Sequence, residues 1–321
     1  MKLNPHSKLI RSCCSILIAA FAIFGAGALK AQNFFDNPIS SGGFTVDLGN
    51  ASGGSSTAVS THKNWAIFAL SGGVTITDPD ATLLNVGNNY DVLGNVGMAG
   101  TGVLTMTNSW IKGSAYNTSG QIFSPNITST GNAGPTVNAA YLSSAATSAS
   151  NASSQAALMP TFTGGLGYTF NGSATAIPTT FALNGGAGPG TAAATFSGGA
   201  AGQTYVLNLQ DLILSGVGAV LTLNGTATTN YVINVSRYMS LSANSQIALS
   251  GGLGANNVLF NVKNTATYDV TLSGGAVVNG IILAPNRNAK LTGGSVVNGE
   301  VIAKGVSLSG RSKVLNPFVS P

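Results

Sequence analysis

Cysteine is almost missing from this 321-residue chain: Cys13 and Cys14 are the whole supply. Histidine is as scarce, with His6 and His62, and charged residues make up only 7%. Beyond residue 31 there is no cysteine, so no disulfide framework is available to the remainder and a structural Cys/His zinc site is excluded. A His-based triad would rest on His62 alone, which lies in a Gly- and Ser-rich stretch and reads as a solvated loop residue. Acids are equally thin. Asp78-Pro-Asp80 is the one close pair in sequence, and Asp36, Asp47, Asp91, Asp211, Asp269 and Glu300 are dispersed. Glycosidic chemistry needs two carboxyls facing one cleft. Asp78 follows Val-Thr-Ile-Thr and precedes Pro79, the pattern of a turn. Calcium, with its demand for about six to eight oxygen ligands, finds little supply here. The Gly-Gly pairs lack the strand–glycine loop–helix context of a nucleotide site and read as corners. The expectation is therefore no catalytic residue, no metal and no cofactor.

The excess of basic residues is mostly confined to positions 1–31. Lys2, Lys8, Arg11 and Lys30 lie there, leaving nine cations against eight acids in the rest. Scattered cations in those numbers form no phosphate-neutralising patch, so nucleic acid is not an expected partner. The same segment carries an apolar run from Ser15 to Leu29, shorter than a membrane span, and ends at Leu29-Lys30-Ala31. That arrangement reads as a signal peptide, with a retained anchor as the alternative. The cysteines precede the apolar run, which excludes a lipoprotein attachment site. The chain beyond Ala31 is expected to be secreted, outside the cell or on its surface, without a membrane span.

What is abundant is Gly (43 residues), together with Val, Ile, Ser, Thr and Asn, and the chain is 44% hydrophobic. That mixture of β-branched and apolar residues separates it from disordered chains. Near the C-terminus one segment is written twice. Leu272-Ser-Gly-Gly-Ala-Val-Val-Asn-Gly-Ile-Ile-Leu-Ala-Pro285 returns as Leu291-Thr-Gly-Gly-Ser-Val-Val-Asn-Gly-Glu-Val-Ile-Ala-Lys304, with eight of fourteen positions identical at an offset of 19. A period near 20 in such a chain predicts the coils of a β-solenoid, each burying its apolar residues against the next. Gly94 and Gly113 repeat the 19-residue spacing. Short alternating strands are expected at Trp65–Leu70, Val74–Thr77, Asp91–Val96, Val103–Thr107 and Trp110–Ser114. Residues 32–64 are expected to form an opening strand and cap, 65–321 the solenoid, and 161–202 a loop-rich return before strands resume at Tyr205.

One stretch breaks the pattern. Between Val137 and Met159 there is no Gly, and Leu142, Ala145, Ala146, Ala149, Ala152, Ala156 and Met159 recur at helical spacing between Pro135 and Pro160. The other face is Ser, Thr and Asn, indifferent helix formers, so this helix needs a surface to lie on. In Gly280-Ile-Ile-Leu-Ala and Gly299-Glu-Val-Ile-Ala, alternation puts Ile282 and Val301 on one side and Leu283 and Ile302 on the other. Two apolar sides require a core and a cover. The Ala-rich helix is the expected cover.

Asn257-Val-Leu-Phe-Asn-Val262, Leu272-Ser-Gly-Gly, Gly280-Ile-Ile-Leu-Ala-Pro-Asn286 and Asn298-Gly-Glu-Val-Ile-Ala303 closely resemble the choice-of-anchor A family of secreted bacterial proteins. Some of these are labelled collagen-binding-like. Val220-Leu-Thr-Leu-Asn and Tyr231-Val-Ile-Asn-Val235 are similar to that family's strands. The order of coils, helix and coils also resembles the bacterial ice-binding β-helix proteins. The resemblance spans roughly residues 64–314 and implies a right-handed, discontinuous parallel β-helix with the α-helix alongside. It implies no catalytic residues. Family members often end in a sorting signal, from which Val314–Pro321 departs.

The function expected is attachment rather than catalysis, to a cell, a matrix protein, a glycan or a solid. Ice binding is the second reading, and a polysaccharide-active enzyme, lacking its carboxylate cluster, the third. Thr75, Thr77, Thr105 and Thr107 are the candidates for a flat binding face, with ordinary β-branched strand residues as the alternative. Thr271, Lys290 and Ser307 mark an outward position interrupted by a lysine, which argues against a uniform ice-binding plane there. Asn279 and Asn298, in register, are expected to form an internal amide spine.

Overall fold

A period-two pattern with an apolar side can pair in register only if each coil repeats its neighbour's phase, and the strands obey this rule. The computed structural model describes residues 39–41, 43–46, 48, 65–79, 90–122, 124, 126–128, 139–185, 192–198, 200–263 and 268–316. The 1–31 segment, His62, Asp36, Asp47 and Asp80 lie outside them. Strands in the solenoid pair mostly in parallel with strands one coil away, in three columns. The duplicated segment gives the cleanest case: Leu272 stands opposite Leu291, and Val277–Ala284 runs beside Val296–Ala303 with Asn279 opposite Asn298. Both strands turn a corner at their glycine. Gly299 has φ +148°, and a Cβ there would lie 2.1 Å from the Gly280 carbonyl oxygen, a contact no side-chain-bearing residue can make.

The interior is one continuous apolar column that includes Val74, Ile76, Leu212, Leu214, Leu272, Ile282, Leu291, Val301 and Leu308. A second apolar layer lies outside one strand column. There Val206, Val232, Leu259, Leu283, Ile302 and Phe68 pack against Leu142, Ala145, Ala149, Ala152 and Ala156 of helix α1, Ala139–Leu158. The expected cover is thus in place, its described residues lying within the expected 137–159. At 1.5 Å per residue, its 20 residues span about 30 Å, roughly six strand spacings. Alanine serves this contact because a methyl lets the helix axis lie close to the sheet. Val46 and Leu48, on and just beyond the hairpin strand Phe44–Val46, join the same layer.

Polar side chains fix α1 as well. Asn208, Asn234 and Asn261 stand in register on adjacent coils. Each amide donates to the next side chain, Asn234 Nδ2 to Asn208 Oδ1 and Asn261 Nδ2 to Asn234 Oδ1, both at 2.8 Å. Asn234 Nδ2 also donates to the carbonyl of Ala156 at 2.7 Å, and Asn208 Nδ2 to that of Met159 at 3.4 Å. Carbonyls near the C-terminus of α1, lacking helical partners, are satisfied by the solenoid.

The structure corrects the sequence at three points. Coil length is not uniform: the Asn298–Asn279 step is 19 residues, while Asn257–Asn230 and Asn261–Asn234 are 27. One extra residue is taken up within a strand, by a bulge where the register of Thr204–Ser215 against Asn230–Leu241 shifts between Leu209 and Asp211. Residues 161–202, expected to be loop-rich, contain strands Leu166–Phe170, Thr180–Asn184 and Ala193–Gly198. Their apolar positions (Phe181, Leu183, Ala194, Phe196) alternate over only two residues each, too few to register as a period. The order of the stack also differs from the order of the chain. Trp65–Ala69 pairs with the C-terminal strand Val296–Ala303, Ile67 opposite Val301 and Phe68 opposite Ile302. The coils before α1 therefore extend the stack from its C-terminal coil.

Candidate functional site

The four threonines come together. Val74–Thr77 and Leu104–Thr107 are adjacent parallel strands, with Thr75 opposite Thr105 and Thr77 opposite Thr107. Val74 and Ile76 point into the core, which forces all four threonines out to solvent. The neighbouring strand Val306–Ser309 continues both rows, Ser307 opposite Thr75 and Ser309 opposite Thr77. Six hydroxyls thus stand two by three on a parallel sheet. Strand geometry spaces them by about 4.8 Å across strands and about 6.6 Å along them.

Thr271, Lys290 and Ser307 form the expected outward row interrupted by a lysine, and that row runs on into the threonines. Thr271 lies opposite Lys290, Lys290 opposite Ser307, and Ser307 opposite Thr75. Lys290 therefore bounds the hydroxyl grid on one side, its ammonium paired to Asp269 at 2.6 Å. The long coil between Thr75 and Thr105 hides this continuity from the sequence, since the short C-terminal period predicts other partners.

Asn279 and Asn298 form the expected spine. Asn298 Nδ2 donates to Asn279 Oδ1 at 2.9 Å, and Asn279 Nδ2 to the carbonyl of Ile247 at 2.7 Å. Their amides are consumed internally.

The acids are less dispersed than the sequence suggests. Asp91 lies beside Asp78, and the two side chains hydrogen-bond. Burial first, and then the neighbouring Asp78 charge and hydrogen bond, push the Asp91 carboxyl up. Its Oδ2 also accepts from the backbone N–H of Trp110 at 2.8 Å. Both carboxyls are largely buried and tie a corner together. Among the described residues no three His, Cys, Asp or Glu side chains are grouped so as to hold a metal. Glu300 takes the place of Ile281 in the repeat. It is fully buried, neither carboxylate oxygen has a hydrogen-bond partner, and desolvation raises its pKa well above the ordinary value. No described helix is long and apolar enough to cross a membrane.

The molecule is a β-solenoid buttressed by a helix and carrying an open face of hydroxyls. The chain belongs to the ice-binding-like adhesive domain family, whose profile matches residues 34–314. No curated protein matches it. Among solved structures it is similar to the ice-binding protein LeIBP of an Arctic yeast, at 23% identity and TM-score 0.48 over 86% of this chain and 96% of that one. It is also similar to an ice-binding protein of the Antarctic ascomycete Antarctomyces psychrotrophicus (18%, TM-score 0.43, 84% and 98%). An ice-binding protein domain of Shewanella frigidimarina matches at 14% identity and TM-score 0.45 over 88% and 100%.

Proposed function

We propose that the protein is a secreted, non-enzymatic attachment protein, a right-handed solenoid that binds an extended extracellular surface through the face bearing Thr75, Thr77, Thr105 and Thr107. The observation that carries this reading is the two-by-three grid of hydroxyls on adjacent parallel strands. A flat, periodic array matches a periodic partner better than a small molecule, which needs a concave site. Membership of an adhesive-domain family points the same way. In this reading residues 1–31 are removed on export, and no metal or cofactor takes part. The test is Thr75→Tyr with Thr105→Tyr, which raises two rings above the face, assayed against arrays of matrix proteins and glycans and on solid surfaces. Attachment should fall sharply with the melting temperature preserved. Undiminished attachment would move the site elsewhere.

Ice is the second reading of what that surface is. It is favoured by the grid's repetition in two directions, which a lattice of water can match and an irregular protein surface cannot. Freezing the purified protein distinguishes the two. Thermal hysteresis or shaped crystals, abolished by the same double variant, would make ice the ligand. Unshaped growth would leave attachment to cells, matrix or glycans.

A further inference from the structure

Three coils away from the threonines the solenoid carries a different surface, made of rings rather than hydroxyls. Tyr238 and Met239 alternate outward and inward on Asn230–Leu241, so Met239 enters the core and Tyr238 faces out. Tyr268 lies just before the next strand on this face, Val270–Leu272, and is 44% exposed. The two rings pack together with centroids 4.1 Å apart, and Arg237 lies over Tyr238 at 5.3 Å.

The rings are held by a buried cation. Arg287 is 2% exposed, and its guanidinium donates to the carbonyls of Arg237 and Tyr268 and to those of Ser236 at 3.1 Å and Lys263 at 2.9 Å. One guanidinium therefore clamps the Tyr268 backbone and the peptide leading into Tyr238. Ordering this pair is paid for during folding, so a ligand meets rings already in place.

The charges around the rings are paired. Arg237 Nε donates to Asp211 Oδ1 at 2.8 Å and its Nη2 to Oδ2, and Asp211 itself is fully buried. Lys290 binds Asp269 at 2.6 Å, and Asn288 Nδ2 donates to the same carboxylate at 3.2 Å. The surface beside the rings thus offers paired ions and amide donors with no free acid to attract a cationic ligand. A ring with one apolar C–H face and a rim of hydroxyls meets these terms: its face stacks on Tyr268, and its rim exchanges hydrogen bonds with Lys290, Asp269 and Asn288.

We propose that Tyr238 and Tyr268, fixed by Arg287, form a binding site for a neutral pyranose unit of an extracellular polysaccharide. The proposal deepens the attachment reading by naming a saccharide ligand, on a site separate from the threonines. Calorimetric titration of the full chain with cellohexaose, N-acetylchitohexaose, maltohexaose, mannohexaose and hexagalacturonate tests it. At least one neutral hexasaccharide should bind. Tyr268→Ala should weaken that binding by about tenfold or more, and Tyr268→Phe by no more than about threefold, as expected for loss and retention of an aromatic anchor. The proposal is overturned by no binding of any neutral hexasaccharide, by equal binding in Tyr268→Ala, or by preference for hexagalacturonate. Attachment lost in the threonine variant, with no neutral hexasaccharide bound by the wild type, would retain the attachment face and remove the saccharide site.

Discussion

Asn261 and Ser153, far apart in the chain, exchange two hydrogen bonds: Asn261 Nδ2 donates to the Ser153 carbonyl at 3.0 Å, and Ser153 Oγ donates to Asn261 Oδ1 at 2.6 Å. Both residues are buried, so neither pair can fall back on water. Serine sits within the helix because it meets this amide, not because it favours helix. Asn261→Ala should therefore cost about 2–4 kcal/mol, by taking the acceptor from the Ser153 hydroxyl and the donor from Asn234 Oδ1. Chemical denaturation measures it, and a loss below about half a kcal/mol would mean that water replaces the amide.

The helix itself can be tested at its centre. Ala149 is fully buried against the outer side of the coils. Ala149→Glu places an unpaired charge there and should destabilise the fold by about 3 kcal/mol or more. An unchanged melting temperature would mean that this side of the helix faces solvent.

Glu300 predicts the pH dependence. Its folded-state pKa is raised by burial above the ordinary value of 4.5. Its contribution to stability is therefore fully present below the unfolded value and is lost as pH rises through the folded one. Stability should fall on that account between acidic and neutral pH. Glu300→Ile, which copies Ile281 of the preceding coil, should raise the melting temperature at pH 7 and flatten its pH profile. Asp91, also raised, leaves a residual slope of the same sign. Parallel profiles for variant and wild type would refute the assignment.

The carboxyl pair yields a prediction about catalysis. Asp78→Asn with Asp91→Asn should leave attachment within about twofold, since both groups tie a corner rather than face a cleft. Depolymerisation of an acidic glycan by the wild type but not by this variant would make the chain an enzyme.

How far the sequence can be read depends on the distance over which each feature is encoded. The pairing of Leu272 with Leu291 is legible because two copies lie a single short coil apart with the same residues in phase. The covering helix is legible because Leu142, Ala145, Ala149, Ala152 and Ala156 keep helical spacing, and because Leu283 and Ile302 demand a cover. The amide ladder of Asn208, Asn234 and Asn261 is not, because its steps are 26 and 27 residues and each member sits in a different local sequence. The threonine candidates are visible in the sequence as two pairs. Their union with Ser307 and Lys290 depends on the N-terminal coils meeting the C-terminal one, and pairing at such long range leaves no periodic trace. The meeting of Asp91 with Asp78 leaves no local signal either, since thirteen positions separate them in the sequence.

That inverted order of stacking governs how the chain can fold. The first coils to be synthesised end on Trp65–Ala69, and their platform is Val296–Ala303. Asn316 closes the junction, its amide donating to the Trp65 carbonyl at 2.9 Å across 251 residues. Until the last strands are made, the early coils can pair only with one another and keep one edge open, while the coils after the helix can grow on one another. Joining the two blocks closes a very long loop, the slow kind of step in folding kinetics. A nascent chain must therefore hold its N-terminal coils apart from their C-terminal platform for almost the whole of its synthesis, and loss of the final strands would leave the threonine-bearing coils, paired only with each other, with one edge uncovered.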